Sequence, residues 1–265
     1  MRKVSLPTRQ LVLTAFGLLA LGAALAFAQR ERSNDFRLFR DMQDPQEPPK
    51  NTEFVFARIR FNSGRGGFGG FFGGGGWSHD YPDAEEHILQ VANEATSINL
   101  HKMSYVIVDL DDEAIFQYPF IYFSEVGEMQ LTEREIVNFR EYLNRGGFAM
   151  IDDFDSQYNL DWFLSQMRRV FPDRDFPAMQ LEHPIFHTFY EIPTLDIDPP
   201  YNSRDGGRPT FYGYYDERGR LTMMICHNND VGDFWEWIDQ PRYPLQPSTE
   251  ALRFGVNFFI YALTH

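Results

Sequence analysis

Acidic, amide and imidazole side chains follow several apolar runs of this sequence, at points where strands would end. They are Asp80, Glu125, Asp152, Asp153, His227, Asn228 and Asp230. Carboxylates and imidazoles grouped in one cleft can perform general acid–base catalysis, as a hydrolase requires. Asp152 or Asp153 would then be the base. His183 or His227 would assist it. The alternative is that these side chains cap helices and satisfy loop amides.

Two further histidines have the spacing of a metal pair. His183 and His187 are four residues apart, which on a helix would place both on one face. Pro184 directly follows His183 and disfavours a helix through both. We therefore predict that His183 is hydrogen-bonded to backbone and fixes a turn, and that the chain has no metal centre and no cofactor.

The stretch HNNDVGDFWEW, residues 227–237, combines acids with tryptophans. Acids beside exposed aromatic faces can hold a sugar or a cationic peptide, whereas buried tryptophans anchor a core. Both interpretations remain open. The first gives a set of ligand-binding residues at the strand ends, namely Asp80, Glu125, Asp152, Asp153, Asn228, Asp230 and Trp235.

A Gly-rich stretch, residues 64–76, contains the G-x-G-x-x-G pattern of dinucleotide sites. In such a site a helix begins directly after the glycines and directs its amides at the pyrophosphate. Here the next helical pattern begins about a dozen residues too late, and it opens with Asp83, Glu85 and Glu86, which repel an anion. We predict no nucleotide. The stretch is expected to be a flap or lid over a neighbouring crevice.

Apolar runs that alternate with helical periods predict an α/β domain with a mostly parallel sheet and helices on both faces. The clearest helix, residues 131–147, begins with a capping box of Thr132 and Glu135. Residues 211–228 predict a strand pair that turns at Arg218-Gly219. Ligands of open α/β sheets bind outside the carboxyl ends of the strands, where the polar residues above would gather.

The N-terminus predicts export. Basic residues precede an apolar run over 11–28 that ends in Ala-Phe-Ala, so we predict a signal peptide cleaved after Ala28, with an uncleaved membrane anchor as the alternative. Residues 29–51 form a polar, flexible lead-in, and 52–265 the folded domain. The mature protein would be secreted or periplasmic, without a stable membrane span. The net charge of −14 argues against nucleic acid as a partner.

Several blocks resemble, in order, the bacterial family known as domain of unknown function 4159. They include WSHDYPDAEEH, PFIYFSEVGEMQLTEREI, YLNRGGFAMIDDF, EHPIFHTFYEI, NNDVGDFWEW and RFGVNFFIYALTH, and the resemblance covers residues 54–265. It implies a flavodoxin-like fold similar to class I glutamine amidotransferases, and no established activity.

The nucleophilic cysteine of those amidotransferases has no counterpart here. The turn after PFIYF reads Ser124-Glu125-Val126-Gly127. The single cysteine, Cys226, lies inside a strand pattern that points it and His227 to opposite faces, so we predict a buried packing residue and no glutaminase chemistry.

Two functions remain from the sequence. The first is a secreted, non-catalytic module that holds an envelope glycan, a peptide or a partner protein in a strand-end crevice under the Gly-rich flap. The second is a hydrolase that uses the carboxylates and a histidine on envelope glycan or peptide.

Overall fold

The computed structural model describes residues 52–62 and 76–265. The predicted signal peptide, the lead-in and most of the Gly-rich flap lie outside the described residues. The described chain forms one six-stranded sheet in the order β2-β1-β3-β4-β6-β5. Its strands are β1 (Phe56–Arg60), β2 (Tyr105–Asp109), β3 (Phe120–Ser124), β4 (Phe148–Phe154), β5 (Thr210–Tyr215) and β6 (Leu221–His227).

All strand pairs are parallel except β5 with β6. Counted over its parallel strands alone, the sheet has the 2-1-3-4-5 order of flavodoxin-like folds, with one antiparallel strand added at the edge. The predicted mostly parallel α/β fold is therefore confirmed. The antiparallel pair turns where the sequence predicts, and Gly219 takes the positive φ of 79° that the turn requires.

In the described part of the chain, five α-helices cover the two faces of the sheet: α1 (Asp83–Ala95), α2 (Glu133–Asn144), α3 (Ser156–Val170), α4 (Val231–Glu236) and α5 (Leu245–Thr264). Residues of α1, α4 and α5 pack on the face that carries Phe56 and Tyr122. Residues of α2 and α3 pack on the opposite face, which carries Ala57 and Phe123. Because both faces are covered, every residue of β3 and β4 is buried, including the polar ones.

Local signals in the sequence specify the helix ends to different degrees. The capping box of α2 is present, with the Thr132 N–H donating to Glu135 Oε2 at 2.6 Å and the Glu135 N–H donating to Thr132 Oγ1 at 3.3 Å. The last helix begins at Leu245 rather than at Ser248, because Ser248 bonds back to the Pro244 carbonyl from inside the first turn. Among the described residues, no helix combines the length and apolar character needed to cross a bilayer.

The chain crosses from one side of β1 to the other between β2 and β3, so β1 and β3 flank the topological switch point. Loops that leave adjacent strands in opposite directions open a crevice there, at the carboxyl ends of the strands. The segment 76–80 after β1 lies against the turn after β3. A Cβ atom built on Gly76 would come within 2.6 Å of Glu125 Oε2, so only glycine allows this approach.

Candidate functional site

Arg58 in β1 anchors the segment that follows β1 at the crevice. The side chain is completely buried, and its Nη1 donates to the carbonyls of Trp77 and His79 at 2.8 Å each. Its Nε donates to Glu85 of α1, and the guanidinium lies 4.8 Å from the centre of the Tyr122 ring. A buried ion pair thereby fixes the backbone that carries His79 and Asp80.

Backbone strain is concentrated at these strand ends. Five non-glycine residues of the described chain have positive φ angles: Asp80 (63°), Glu125 (51°), Asp153 (53°), Ser156 (75°) and Asn228 (54°). Four of them end or closely follow a strand of the parallel sheet at its carboxyl end, and Asp80 lies shortly before α1 in the segment that leads there from β1. A side chain in this region of φ costs of the order of 1–3 kcal/mol and persists only where the surrounding structure enforces it.

His79 lies between two carboxylates that come from different strand ends. Its Nδ1 is 3.0 Å from Asp80 Oδ1 and 3.0 Å from Asp153 Oδ2, while 47% of the side chain remains exposed. Partial burial lowers the pKa of His79, but the hydrogen bonds to Asp153 and Asp80 outweigh it and raise the pKa to about 12. With this pKa, both ring nitrogens of His79 carry a proton at neutral pH in the metal-free protein, and the imidazole is a cation.

Asp152 lies beneath this group and is engaged by protein donors. Its carboxylate accepts the Tyr122 hydroxyl at 3.1 Å and the N–H groups of Val231 and Gly232 at 3.1 and 2.8 Å. Burial raises its pKa to about 7, although those amides counteract the rise. Asp152 therefore joins β4 to the start of α4. Its neighbour Asp153 is the one that reaches the crevice, as alternation along a strand predicts.

Asp230 and Glu125 complete the acidic wall. Asp230 is buried, caps α4 by accepting the Asp233 N–H at 2.8 Å, and has its pKa raised by burial and by Asp153. Glu125 reaches the surface directly after β3, where a 3₁₀ turn over Val126–Glu128 follows it. The protein atoms packed around its carboxylate and the charge of Asp153 raise its pKa to about 7.

The predicted partner histidines lie elsewhere. The Nδ1 of His183 accepts the Ile185 N–H at 3.2 Å and starts the 3₁₀ turn Pro184–His187, which is the structural role that the sequence favours. The ring of His227 is buried against Phe154, with its Nε2 3.0 Å from the Ser156 carbonyl. Neither ring contacts Asp152 or Asp153, so the predicted pairing of these acids with His183 or His227 is wrong, and the ring that contacts Asp153 is that of His79.

Two other predicted roles, those of Trp235 and Asn228, change in the structure. Trp235 is completely buried and its Nε1 donates to the Ala251 carbonyl at 2.9 Å, so it anchors the core and cannot touch a ligand. The amide of Asn228 is used by the Ser156 N–H and the Arg208 carbonyl, which makes it a scaffold residue. The His187 ring, whose pairing with His183 at a metal the sequence already disfavours, contacts Glu191 Oε2 at 2.6 Å and the Leu181 carbonyl at 2.7 Å.

His79 is the central residue that sequence reasoning missed. The sequence signal for His79 was its position directly before Asp80, which was already a predicted site residue. Of the predicted residues, the structure brings Asp80, Asp153 and Asp230 together around His79, with Glu125 beside them. It places Cys226 in the core, where burial raises the thiol pKa well above its usual range.

Comparison with known families gives the chain its classification. The sequence profile described as Domain of unknown function (DUF4159) matches residues 55–263. The chain belongs to this family. A search of curated proteins finds no match. The matched residues run from β1 to the last turn of α5 and include every residue of the acidic crevice. The description of DUF4159 assigns no chemistry, so function has to be argued from the site.

Proposed function

We propose that the protein is a ligand-binding module whose site is the crevice lined by His79, Asp80, Glu125, Asp153 and Asp230. Three of the five non-glycine residues with positive φ, Asp80, Glu125 and Asp153, line this crevice, and this concentration of strained backbone is the observation that carries the proposal. Strain of this kind lowers stability, and folded proteins retain it mainly at sites of binding or catalysis. Helix capping alone does not require it, since Thr132, the N-cap of α2, takes ordinary extended angles.

The charge of the crevice limits the chemistry of its ligand. Among the described residues that line it, carboxylate oxygens serve as acceptors and the exposed edge of His79 serves as a cationic donor. Anions are repelled, and groups that donate hydrogen bonds are favoured. Hydroxyl-rich glycans and peptides with ammonium groups meet this requirement. An envelope glycan or peptide is therefore the proposed ligand class.

The proposed location is the periplasm or the outside of the cell. The support is the basic, then apolar, then Ala-Phe-Ala order of residues 1–28. N-terminal sequencing of the protein from its native host should find Gln29 as the first residue. A mature chain that still begins at Met1 would instead indicate a membrane anchor.

Binding can be tested with the mature chain, soluble cell-wall glycan fragments and a lysine-rich peptide, using isothermal titration calorimetry. The Asp153→Asn and Glu125→Gln variants should each weaken binding by about tenfold, the effect of losing one hydrogen bond to a charged group. Asp173→Asn removes an exposed acid from outside the crevice and should bind like the native chain. Equal affinities for all variants, or no binding to either probe, would refute the proposal.

Hydrolysis is the second candidate, and the contact between His79 and Asp153 favours it. Glu125 takes left-handed backbone directly after the central strand β3, the strand–turn position in which other α/β enzymes present a reactive side chain. With a pKa of about 7 it could donate or accept a proton at neutral pH, while His79 stabilises developing negative charge. If the native chain cleaves the glycan fragments or the peptide, and Glu125→Gln still binds them but no longer cleaves them, hydrolysis is the function.

A further inference from the structure

The donor atoms in the crevice converge on one point. One ligand atom each from His79, Asp80, Asp153 and Asp230 lies within 4.8 Å of all the others. The three carboxylates are buried, and they come from the segment before α1, the end of β4 and the segment after β6. We propose that these four residues form a binding site for one divalent transition-metal cation, with Mn²⁺ or Zn²⁺ as the fitting ions. The inference goes beyond the proposed function, because a cation could bind here with or without a larger ligand.

An unsatisfied oxygen points independently to a missing ligand. The Asp80 side chain is completely buried, and its Oδ2 has no hydrogen-bond partner among the residues that the structure describes. Buried carboxylate oxygens are nearly always hydrogen-bonded or bound to an ion, because desolvation without a partner is costly. The space next to this oxygen is kept open by a glycine. A Cβ on Gly232 would lie 3.1 Å from Asp80 Oδ2 and 2.6 Å from the Tyr122 hydroxyl.

The spacing around His79 also fits a bound cation. Its Nδ1 carries at most one proton, yet it lies 3.0 Å from an oxygen of Asp80 and 3.0 Å from an oxygen of Asp153. One N–H shared between two carboxylates satisfies neither fully. Donors bound side by side at about 2.1 Å from an octahedral cation are about 3.0 Å apart. A cation in the place of the Nδ1 proton would therefore satisfy all three groups without moving them far.

The remaining donors are available for such an ion. Asp230 uses Oδ1 to cap α4, and no hydrogen bond to its Oδ2 is present in the described chain. Within the described chain, Asp153 Oδ2 accepts the Ser124 hydroxyl at 3.2 Å and otherwise contacts His79. Asp152 and Asp233 add negative charge close by without being needed as ligands. A doubly charged ion would offset the repulsion among these carboxylates.

The donor set selects the class of metal. Three carboxylates would suit Mg²⁺, Ca²⁺ or Mn²⁺, whereas an imidazole nitrogen favours first-row transition metals. One nitrogen with three oxygens therefore fits Mn²⁺ and Zn²⁺ better than Mg²⁺ or Ca²⁺.

The test uses the mature chain stripped of metal with a chelator, and no glycan or peptide. Titration calorimetry with MnCl₂ and with ZnCl₂ should find one ion per chain, and thermal unfolding should move to higher temperature as either salt is added. MgCl₂ and CaCl₂ should bind at least about tenfold more weakly. Absence of saturable Mn²⁺ and Zn²⁺ binding, or tighter binding of Ca²⁺ than of either, would overturn the proposal.

Two variants place the ion. Asp80→Asn keeps a residue type that tolerates the φ of 63°, and His79→Ala removes the nitrogen from a half-exposed position, so both should fold. Each should weaken Mn²⁺ binding by at least about tenfold, while Asp173→Asn should not. Circular dichroism confirms that the variants are folded. If folded Asp80→Asn and His79→Ala bind Mn²⁺ as tightly as Asp173→Asn, the ion is held elsewhere and this site is wrong.

Discussion

The Nδ1 atom of His79 lies 3.0 Å from Oδ2 of Asp153, which joins the segment after β1 to the carboxyl end of β4. Buried polar side chains fix the backbone on both sides of this contact. Arg58 binds the carbonyls around His79, and Asp152, next to Asp153, binds the start of α4. The contact is therefore set by the sheet and its buried polar groups, and small changes in those groups should be felt at the crevice.

The first prediction concerns the charge on His79. Asp153→Asn removes one of the two carboxylates that raise its pKa, so the pKa should fall from about 12, while Asp80 keeps it above the ordinary value near 6.5. NMR titration of the imidazole nitrogens in metal-free protein measures this directly. The titration of His79 in Asp173→Asn should match the native chain. A His79 that titrates near pH 6.5 in the native protein would contradict the contact itself.

The second prediction separates the two tryptophans. Trp235→Phe removes the hydrogen bond to the Ala251 carbonyl and leaves a gap in the core, so it should cost about 1–3 kcal/mol in the free energy of unfolding. Trp237 is half-buried under the Arg242 guanidinium, 4.2 Å from its ring, and Trp237→Phe should cost less than about 0.5 kcal/mol. Urea denaturation compares the two. Equal costs would mean that Trp235 is not the anchor described above.

How far the sequence determines this fold is clear from particular elements. The buried runs of β3 and β4 and the capping box at Thr132 act locally, through side-chain burial and hydrogen bonds within one turn, so they could be predicted. The gathering of Asp80, Asp153 and Asp230 could be predicted as well, because parallel strands end at one edge of the sheet.

The burial of Trp235 and the place of His79 in the site could not be predicted, because both depend on contacts between distant parts of the chain. Nothing near Trp235 distinguishes an exposed tryptophan from one covered by α5, since its partner carbonyl at Ala251 lies in the next helix. The position of His79 next to Asp80 was a weak signal that could not rank it above His183 or His227, because the ranking depends on how Arg58 orients the segment 76–80. Both are tertiary effects that composition and periodicity do not carry.

The third prediction concerns stability and pH in metal-free protein. The folded-state pKa of Asp152 is about 7, above its unfolded value of about 3.9, so the folded state takes up the proton more readily. Stability should therefore fall as the pH rises from about 4 to about 7, by a few kcal/mol at most. Glu125 acts in the same direction, and the raised pKa of His79 extends the decline to alkaline pH.

Urea denaturation between pH 5 and pH 8 measures this decline. Asp152→Asn should be less stable than the native chain at pH 5, because its amide places a donor against the N–H groups of α4, but its stability should depend less on pH. Asp173→Asn should retain the native slope. A native protein more stable at pH 8 than at pH 5 would contradict the raised pKa values.

The last prediction tests whether the buried Arg58 serves stability, the crevice, or both. Arg58→Met leaves Glu85 buried without its partner, and breaking a buried pair in this way costs about 3–5 kcal/mol. Adding Glu85→Leu should restore most of that stability, because apolar groups replace such pairs at little cost. The double variant still lacks the donors to the Trp77 and His79 carbonyls, so its His79 should lose contact with Asp153 and show a lowered pKa. Urea denaturation and the histidine titration together decide the matter. If the double variant regains stability and its His79 titrates as in the native chain, the ion pair serves the core alone. If it regains stability but the pKa of its His79 is lowered, Arg58 also positions the crevice.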